Sequence, residues 1–545
     1  MTAPGNTPGI APGSAHGAAA AKPKETPKEA LIGLIISFVV VLIYRGFIFE
    51  TFHIPTGSMA PTLRGAHMQF TSPQSGTTWA VNPWTDNRGV PTNPQGSASN
   101  PVRVSDPVTG APIQPGTYPL RSGDRIAVLK YNWLHHPKRW DVIVFKFPEN
   151  PRENYIKRLV GLPNEDLWLV DGDVFVRPTG EDDWSIARKP AYIQDDVWWT
   201  IHSSERSPLR REFDGVAWRS PWQGRGWSLD DRGVFTTESA GATLAWDSNA
   251  WPITDFTAYN QITPWAPNRR DNRPGVPVYP TSDLRVRAGV EPSAPDATVR
   301  MTIEANEHRY VAEITTGGVR YSVEPVSDSG AEPIVLNANG FGGFPVGEIT
   351  DVEFRHVDQS LEVRINGKTH GRMTYDWSPV ERLRNSTRLT DEQLDAVFAN
   401  DADTSLSNPN SYTLPQVSID VESAGAVALH RVGLDRDLFY QPAMHFGGSR
   451  AGAPGLGSHP AHLARMSDNE FFAAGDNSAS SRDSRLWDNV SPWVLDQTDA
   501  QVGMVPGDML MGEAVVVFWP APNVLSLGPI RLPFVPDVGR MRLIK

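Results

Sequence analysis

One run of the chain, ALIGLIISFVVVLIYRGFIF from Ala30 to Phe49, is almost wholly apolar, with a single charge at Arg45 near its far end. At about 1.5 Å per residue, some twenty apolar residues match the hydrocarbon thickness of a bilayer, so the pattern predicts one spanning helix over 29–49. A cleaved signal peptide is the competing reading. The run is longer than a signal core, and no small-x-small cleavage site follows it. Beyond it the pattern shifts to short runs rich in β-branched and aromatic residues. Ser122–Lys130, Trp140–Phe147 and Ala514–Trp519 predict strands. A further series, 299–304, 309–314, 319–323, 349–354 and 361–365, repeats at the spacing of an all-β sandwich. Asn366-Gly367 follows the last of these runs and predicts a two-residue hairpin turn, because both positions need positive φ. Between Leu63 and Leu120 the chain is crowded with Pro, Gly, Ser, Thr and Asn and shows no period, which predicts a long polar surface insertion over 64–120.

Composition narrows the choices. The 545 residues are 39% apolar, enough for two or three compact units. A net charge of −12 leaves no basic footprint for nucleic acid. With no cysteine there is no disulfide, thiol nucleophile or thiolate zinc site. Residues 1–28, rich in Ala, Gly, Pro and Thr, predict a disordered tail. Its Lys22, Lys24 and Lys28 place the tail in the cytoplasm by the positive-inside rule, and everything after Glu50 on the outer face.

Three short stretches carry the chemistry. The first is Ile54-Pro55-Thr56-Gly57-Ser58-Met59, just beyond the apolar run. The second is Tyr155-Ile156-Lys157-Arg158-Leu159, and the third is Gly475-Asp476-Asn477-Ser478-Ala479-Ser480-Ser481-Arg482-Asp483-Ser484-Arg485. A serine hydroxyl is a weak nucleophile until a base takes its proton. A lysine can be that base only when neutral, which requires a site dry enough to lower its pKa by several units. On a strand, Lys157 shares a face with Tyr155 and Leu159 while Arg158 points away, an apolar setting suited to such a base. Taken alone, Ser58 reads sooner as a turn serine and Lys157 as an exposed strand residue; their company changes that.

In order and chemistry the three stretches resemble the sequence boxes of the type I signal peptidases, membrane serine proteases with a lysine base. The resemblance covers the apolar run and roughly 50–170 plus 463–545. It implies Ser58 as nucleophile, Lys157 as general base, and an oxyanion hole from the Thr56 hydroxyl and the Ser58 N–H. It further implies that Ser481 orients the lysine, that Asp476, Asp483 and Arg485 support the loop, and that Ile54, Pro55 and Ile156 line shallow pockets for the small residues ending a signal peptide. Ser478 stands where the family has arginine, and Asn164-Glu165 where it has Gly-Asp. The partners implied are signal-peptide-bearing preproteins and membrane lipid, with no metal and no cofactor.

The expected fold is therefore mainly β: a signal-peptidase-like catalytic domain (50–170 and 463–545) interrupted by a β-sandwich-like insertion (171–462). The insertion resembles a laminin-G or concanavalin-like jelly roll by its strand pattern, which implies a glycan or protein ligand. Nine of the eighteen tryptophans fall between Trp184 and Trp265, most of them expected in the core. Two other readings remain open. Self-cleaving repressors share the serine-lysine pair but carry a DNA-binding module in place of an anchor. A decayed peptidase would instead be a surface protein that binds through the insertion. Ser-His-Asp chemistry finds no supporting motif among the thirteen histidines, and metal binding none either.

Overall fold

The computed structural model describes residues 26–82, 105–111, 113, 120–131, 135–210, 212–213, 216–260, 277–327, 332–445, 450–527 and 530–545. They fall in two units, 1–50 and 51–545. Helix Pro27–Phe47 in the first is 21 residues long, and its apolar side chains, Leu34 and Phe38 among them, are exposed. Such a surface suits lipid rather than water. Most of the predicted tail, Lys22, Lys24 and Trp265 lie outside the described residues.

The second unit is mainly β. One antiparallel sheet runs in the order Arg125–Lys130, Leu510–Trp519, Val142–Phe147, Asn150–Gly161, Glu470–Ala474 and Val505–Pro506. Its register sets Ile143 opposite Lys157, and Ala473 and Ala474 opposite Leu159 and Arg158. The segment 475–485 therefore leaves the sheet from the strand beside the lysine. Residues 157–161 are buried on both faces, as expected where two layers cover one strand.

Between residues 199 and 436 two further antiparallel sheets pack face to face. One holds Val427–Arg436, Leu284–Pro292, Thr350–Val357 and Ser360–Ile365, and the other Gln416–Glu422, Thr298–Ala305, His308–Thr315 and Gly318–Pro325, each with further strands at its edges. Val286, Met301, Ile303, Phe354, Ile419 and Leu434 belong to their shared apolar core. Strict alternation along Thr298–Ala305 supplies this core from one face only. Asn366 and Gly367 adopt φ of 48° and 76°, the turn the sequence predicts. Of the tryptophans in the 184–265 stretch, Trp222, Trp246 and Trp251 are buried, while Trp184, Trp198, Trp199, Trp218 and Trp227 are half-buried.

A small sheet of Ser185–Ile186, Asp173–Pro178, Glu165–Val170 and Ala464–Arg465 joins these parts. The expected boundary at 170/171 falls in the turn of its central hairpin, and Ala464 pairs with Leu167 just beyond the second boundary. Both ends of the long segment thus meet one sheet, which lets it be accommodated without opening the rest. Within the predicted insertion, 83–104, 112 and 114–119 lie outside the described residues, and the described part is more ordered than its composition implies. His67–Thr71 and Thr78–Val81 form a hairpin whose Met68, Phe70, Trp79 and Val81 are buried with Ile113. Its apolar residues are few, and the Gly, Ser and Thr of the connecting turn mask the alternation.

Candidate active site

Ser58 lies in a tight turn. The Ala60 N–H donates to the Gly57 carbonyl at 3.0 Å, and the Leu63 N–H to the Met59 carbonyl at 2.8 Å. Met59, Ala60 and Leu63 are fully buried, so the turn is pinned from beneath. Lys157 projects from strand Asn150–Gly161, with its amine 5.2 Å from the centre of the Tyr155 ring. The two side chains meet: Lys157 Nζ donates to Ser58 Oγ at 2.7 Å and to the Ile156 carbonyl at 3.0 Å. Lys157 is only 3% exposed and Ser58 9%. Burial brings the Lys157 pKa down to about 8, against the opposing pull of Asp483 and Asp476 and with some help from Arg485.

Those two carboxylates are already engaged by arginines. Asp476 forms a two-point pair with Arg158, Nε to Oδ1 and Nη2 to Oδ2 each at 2.8 Å, and accepts from the Thr62 hydroxyl at 2.5 Å. Asp483 accepts from Arg485 Nε at 2.8 Å and Nη2 at 2.7 Å, and from the Gly475 N–H at 2.9 Å. Burial pushes the Asp483 carboxyl up, but the Arg485 guanidinium outweighs it and holds the group below its ordinary value. Burial likewise pulls the Arg158 guanidinium down, and Asp476 overcomes it to leave the pKa raised. Ser478, the departure from the family arginine, accepts from Arg485 Nη1 at 2.6 Å and from the Gln441 N–H at 2.8 Å, so its hydroxyl is built into the loop support.

The other predicted residues fall as follows. Ile54 is buried and packs with half-buried Ile156, while Pro55 and Thr56 are exposed. Ser481 is 4% exposed and sits against Gly475, where a Cβ would come within 2.2 Å of its Oγ and 2.6 Å of the Ser58 carbonyl oxygen. Glycine there permits the close approach of the two loops. Among the described residues the hydrogen bonds of Lys157 Nζ go to Ser58 and Ile156, and Ser481 is not among its partners.

Sequence reasoning did not single out Arg158, Asn477, Tyr259 or Asn260. Asn477 donates from its backbone to the Ser58 carbonyl at 3.0 Å and from Nδ2 to the Gly57 carbonyl at 2.9 Å. Arg158 and Asn477 lie inside the quoted stretches and were open to notice. Tyr259 and Asn260 lie two hundred positions from Ser58 with no local signal. Tyr259 also lines a cleft of about 550 Å³ together with Trp198, Trp199, Trp251 and Arg287. Elsewhere, the carboxylates of Asp173, Asp283 and Asp358 approach within 4.8 Å of one another, with Lys189 and Arg382 paired among them.

The family model and the curated relatives that match by sequence are signal peptidases. The family model described as signal peptidase, peptidase S26, matches residues 111–189, a span that contains Lys157 but neither Ser58 nor 475–485. A probable signal peptidase I-2 of Synechocystis sp. is 24% identical over 148 residues, covering 24% of this chain and 68% of the relative. Signal peptidase I of Pseudomonas fluorescens is 32% identical over 126 residues, 23% of this chain and 29% of that protein. Signal peptidase I of Rickettsia bellii is 31% identical over 86 residues, 15% of this chain and 30% of that one. Solved structures overlap with TM-scores of 0.22 for a carbohydrate-binding module from Bacillus subtilis (7% identity, 39% of this chain, 95% of that one) and 0.24 for a laminarinase catalytic domain from Thermotoga maritima (10% identity, 44% and 99%).

Proposed function

We propose a function from one premise: the chain belongs to the type I signal peptidase family. It is a serine endopeptidase that removes signal peptides from exported preproteins, with Ser58 as nucleophile and Lys157 as general base. The observation that carries this reading is the 2.7 Å contact between a buried amine and a buried hydroxyl. With its pKa near 8, about a tenth of the molecules hold the neutral amine at pH 7, against roughly one in three thousand for an ordinary lysine. In the neutral state the contact runs the other way, Ser58 Oγ–H donating to Lys157 Nζ. Lys157 takes that proton as Oγ attacks the carbonyl carbon of the scissile bond. The ammonium then protonates the departing amine, and water hydrolyses the acyl-serine by the same relay.

The Ser58 N–H and Thr56 hydroxyl stabilise the oxyanion, and Ile54, Pro55 and Ile156 receive the small residues before the cut. Ser481, on the Ser58 side of Gly475, orients the amine once substrate closes the site, while Asp476, Asp483 and Arg485 hold the loop. Helix Pro27–Phe47 spans the cell membrane with its N-terminal side in the cytoplasm. Eleven positions along the chain separate Phe47 from Ser58. We assign 50–170 and 463–545 to the catalytic domain and 171–462 to an insertion.

A second reading, a non-catalytic surface protein, draws support from the 550 Å³ cleft, whose indole faces suit a glycan or protein partner. Cleavage of a preprotein by the wild type, Ser58→Ala and Lys157→Ala separates the two. The peptidase reading expects product only from the wild type. Equal product from all three proteins, or none from any, leaves the binding reading.

A further inference from the structure

Residues 171–462 carry neither member of the dyad, yet one turn of this segment, Ala258–Asn260, reaches the nucleophile. Asn260 and Asn477 exchange two amide hydrogen bonds, Asn260 Nδ2 to Asn477 Oδ1 at 2.6 Å and Asn477 Nδ2 to Asn260 Oδ1 at 2.8 Å. Asn477, itself 1% exposed, uses its second Nδ2 proton on the Gly57 carbonyl and its backbone N–H on the Ser58 carbonyl. The ring of Tyr259 closes over Gly57 so tightly that a Cβ there would lie 2.2 Å from its Cε1. The nucleophile turn is thus held by a pinned amide and by an aromatic ring, and the insertion provides both the pin and the ring.

We propose that Asn260 is a positioning residue for the nucleophile. This rests on Ser58 acting as proposed above. A primary amide has two donors and one acceptor, and only one of its two flat orientations presents Nδ2 to Gly57. The Gly57 carbonyl favours that orientation, and the reciprocal pair with Asn260 holds the Asn477 amide in place to present it. Without Asn260 the Asn477 amide loses both bonds that hold it in place, its grip on the Gly57 carbonyl loosens, and the turn drifts from Lys157. A displacement of about 1 Å from productive geometry costs on the order of 10²-fold in rate. The insertion is therefore a structural part of the catalytic unit and not an appendage to it.

The test uses the full-length protein in membranes or detergent and measures kcat and KM for preprotein cleavage. Asn260→Ala is expected to lower kcat about 10- to 100-fold with KM within about twofold of wild type. Asn260→Asp, nearly the same shape but with an oxygen facing Asn477 Oδ1, is expected to lose as much, which excludes lost volume as the cause. In the Asn477→Ala background Asn260→Ala is expected to add nothing, because its effect passes through that amide. Wild-type kcat in Asn260→Asp, or losses that simply multiply in the double variant, would overturn the proposal. Ser58→Ala, measured alongside, keeps the two claims apart. If it abolishes cleavage while both Asn260 variants cut normally, only the positioning role falls; if it cuts, the serine reading itself falls.

Discussion

Lys157 and Lys189 are both buried, at 3% and 6% exposure, and they are driven in opposite directions. Burial lowers the pKa of each. At Lys157 nothing in contact opposes it: the amine meets a hydroxyl and a carbonyl, and the nearby Asp476 and Asp483 spend their charge on Arg158 and Arg485. At Lys189 the amine touches Asp358 and lies 2.8 Å from Asp437, and these with Asp173 overwhelm burial and raise the pKa well above its ordinary value. One lysine is prepared to give up its proton and the other is locked as a cation. Dryness alone does not make a base; the carboxylates must also be paired with other partners.

The comparison can be broken from either side. Lys157→Met is expected to reduce preprotein cleavage by about 10²–10⁴-fold, measured as kcat/KM, because no other group is positioned to take the serine proton. Lys189→Met strands Asp358 and Asp437 in the interior. It is expected to destabilise the fold by about 3–5 kcal/mol in urea titration, with kcat per folded molecule unchanged.

Lys157→Met should act oppositely on stability. A lysine pKa lowered to about 8 on folding costs stability in full below pH 8, and that cost fades as pH rises from 8 toward the unfolded value near 10.5. The variant is therefore expected to be more stable than wild type by up to about 3 kcal/mol at pH 7, with the gap narrowing above pH 8. The smallest effect belongs to Thr56→Ala. Loss of one oxyanion donor is expected to lower kcat by about 10- to 100-fold with little change in KM; Thr56 is exposed before substrate binds, which puts it at the modest end for such groups. Unchanged turnover would remove Thr56 from that role.

The contrast between the two lysines was only half visible in the sequence. Lys157 stood out because Tyr155, Leu159 and two other stretches gave it chemical company, and strand alternation placed its neighbours correctly. Lys189 had no such signal. Its partners Asp358 and Asp437 lie 169 and 248 positions away, brought together by the small sheet and the sandwich. Long-range charge pairing leaves no period to read. The same holds for Asn260, whose amide acts on a turn two hundred residues earlier. The long apolar helix and the sandwich strands were legible because burial on one face writes a period of two, and a lipid-suited surface a long apolar run, directly into the chain. The hairpin of Met68, Phe70, Trp79 and Val81 was missed because four buried side chains amid Ser, Thr and Gly fall below what periodicity can register.

The most direct measurement is the pH dependence of kcat/KM for preprotein cleavage by the wild-type protein. The account predicts a rate that climbs about tenfold per pH unit between 6 and 7.5, bends near pH 8 and levels above it, as the Lys157 amine loses its proton. A rate that is flat or falls across that interval, or that keeps climbing toward the ordinary lysine value near 10.5, would contradict it.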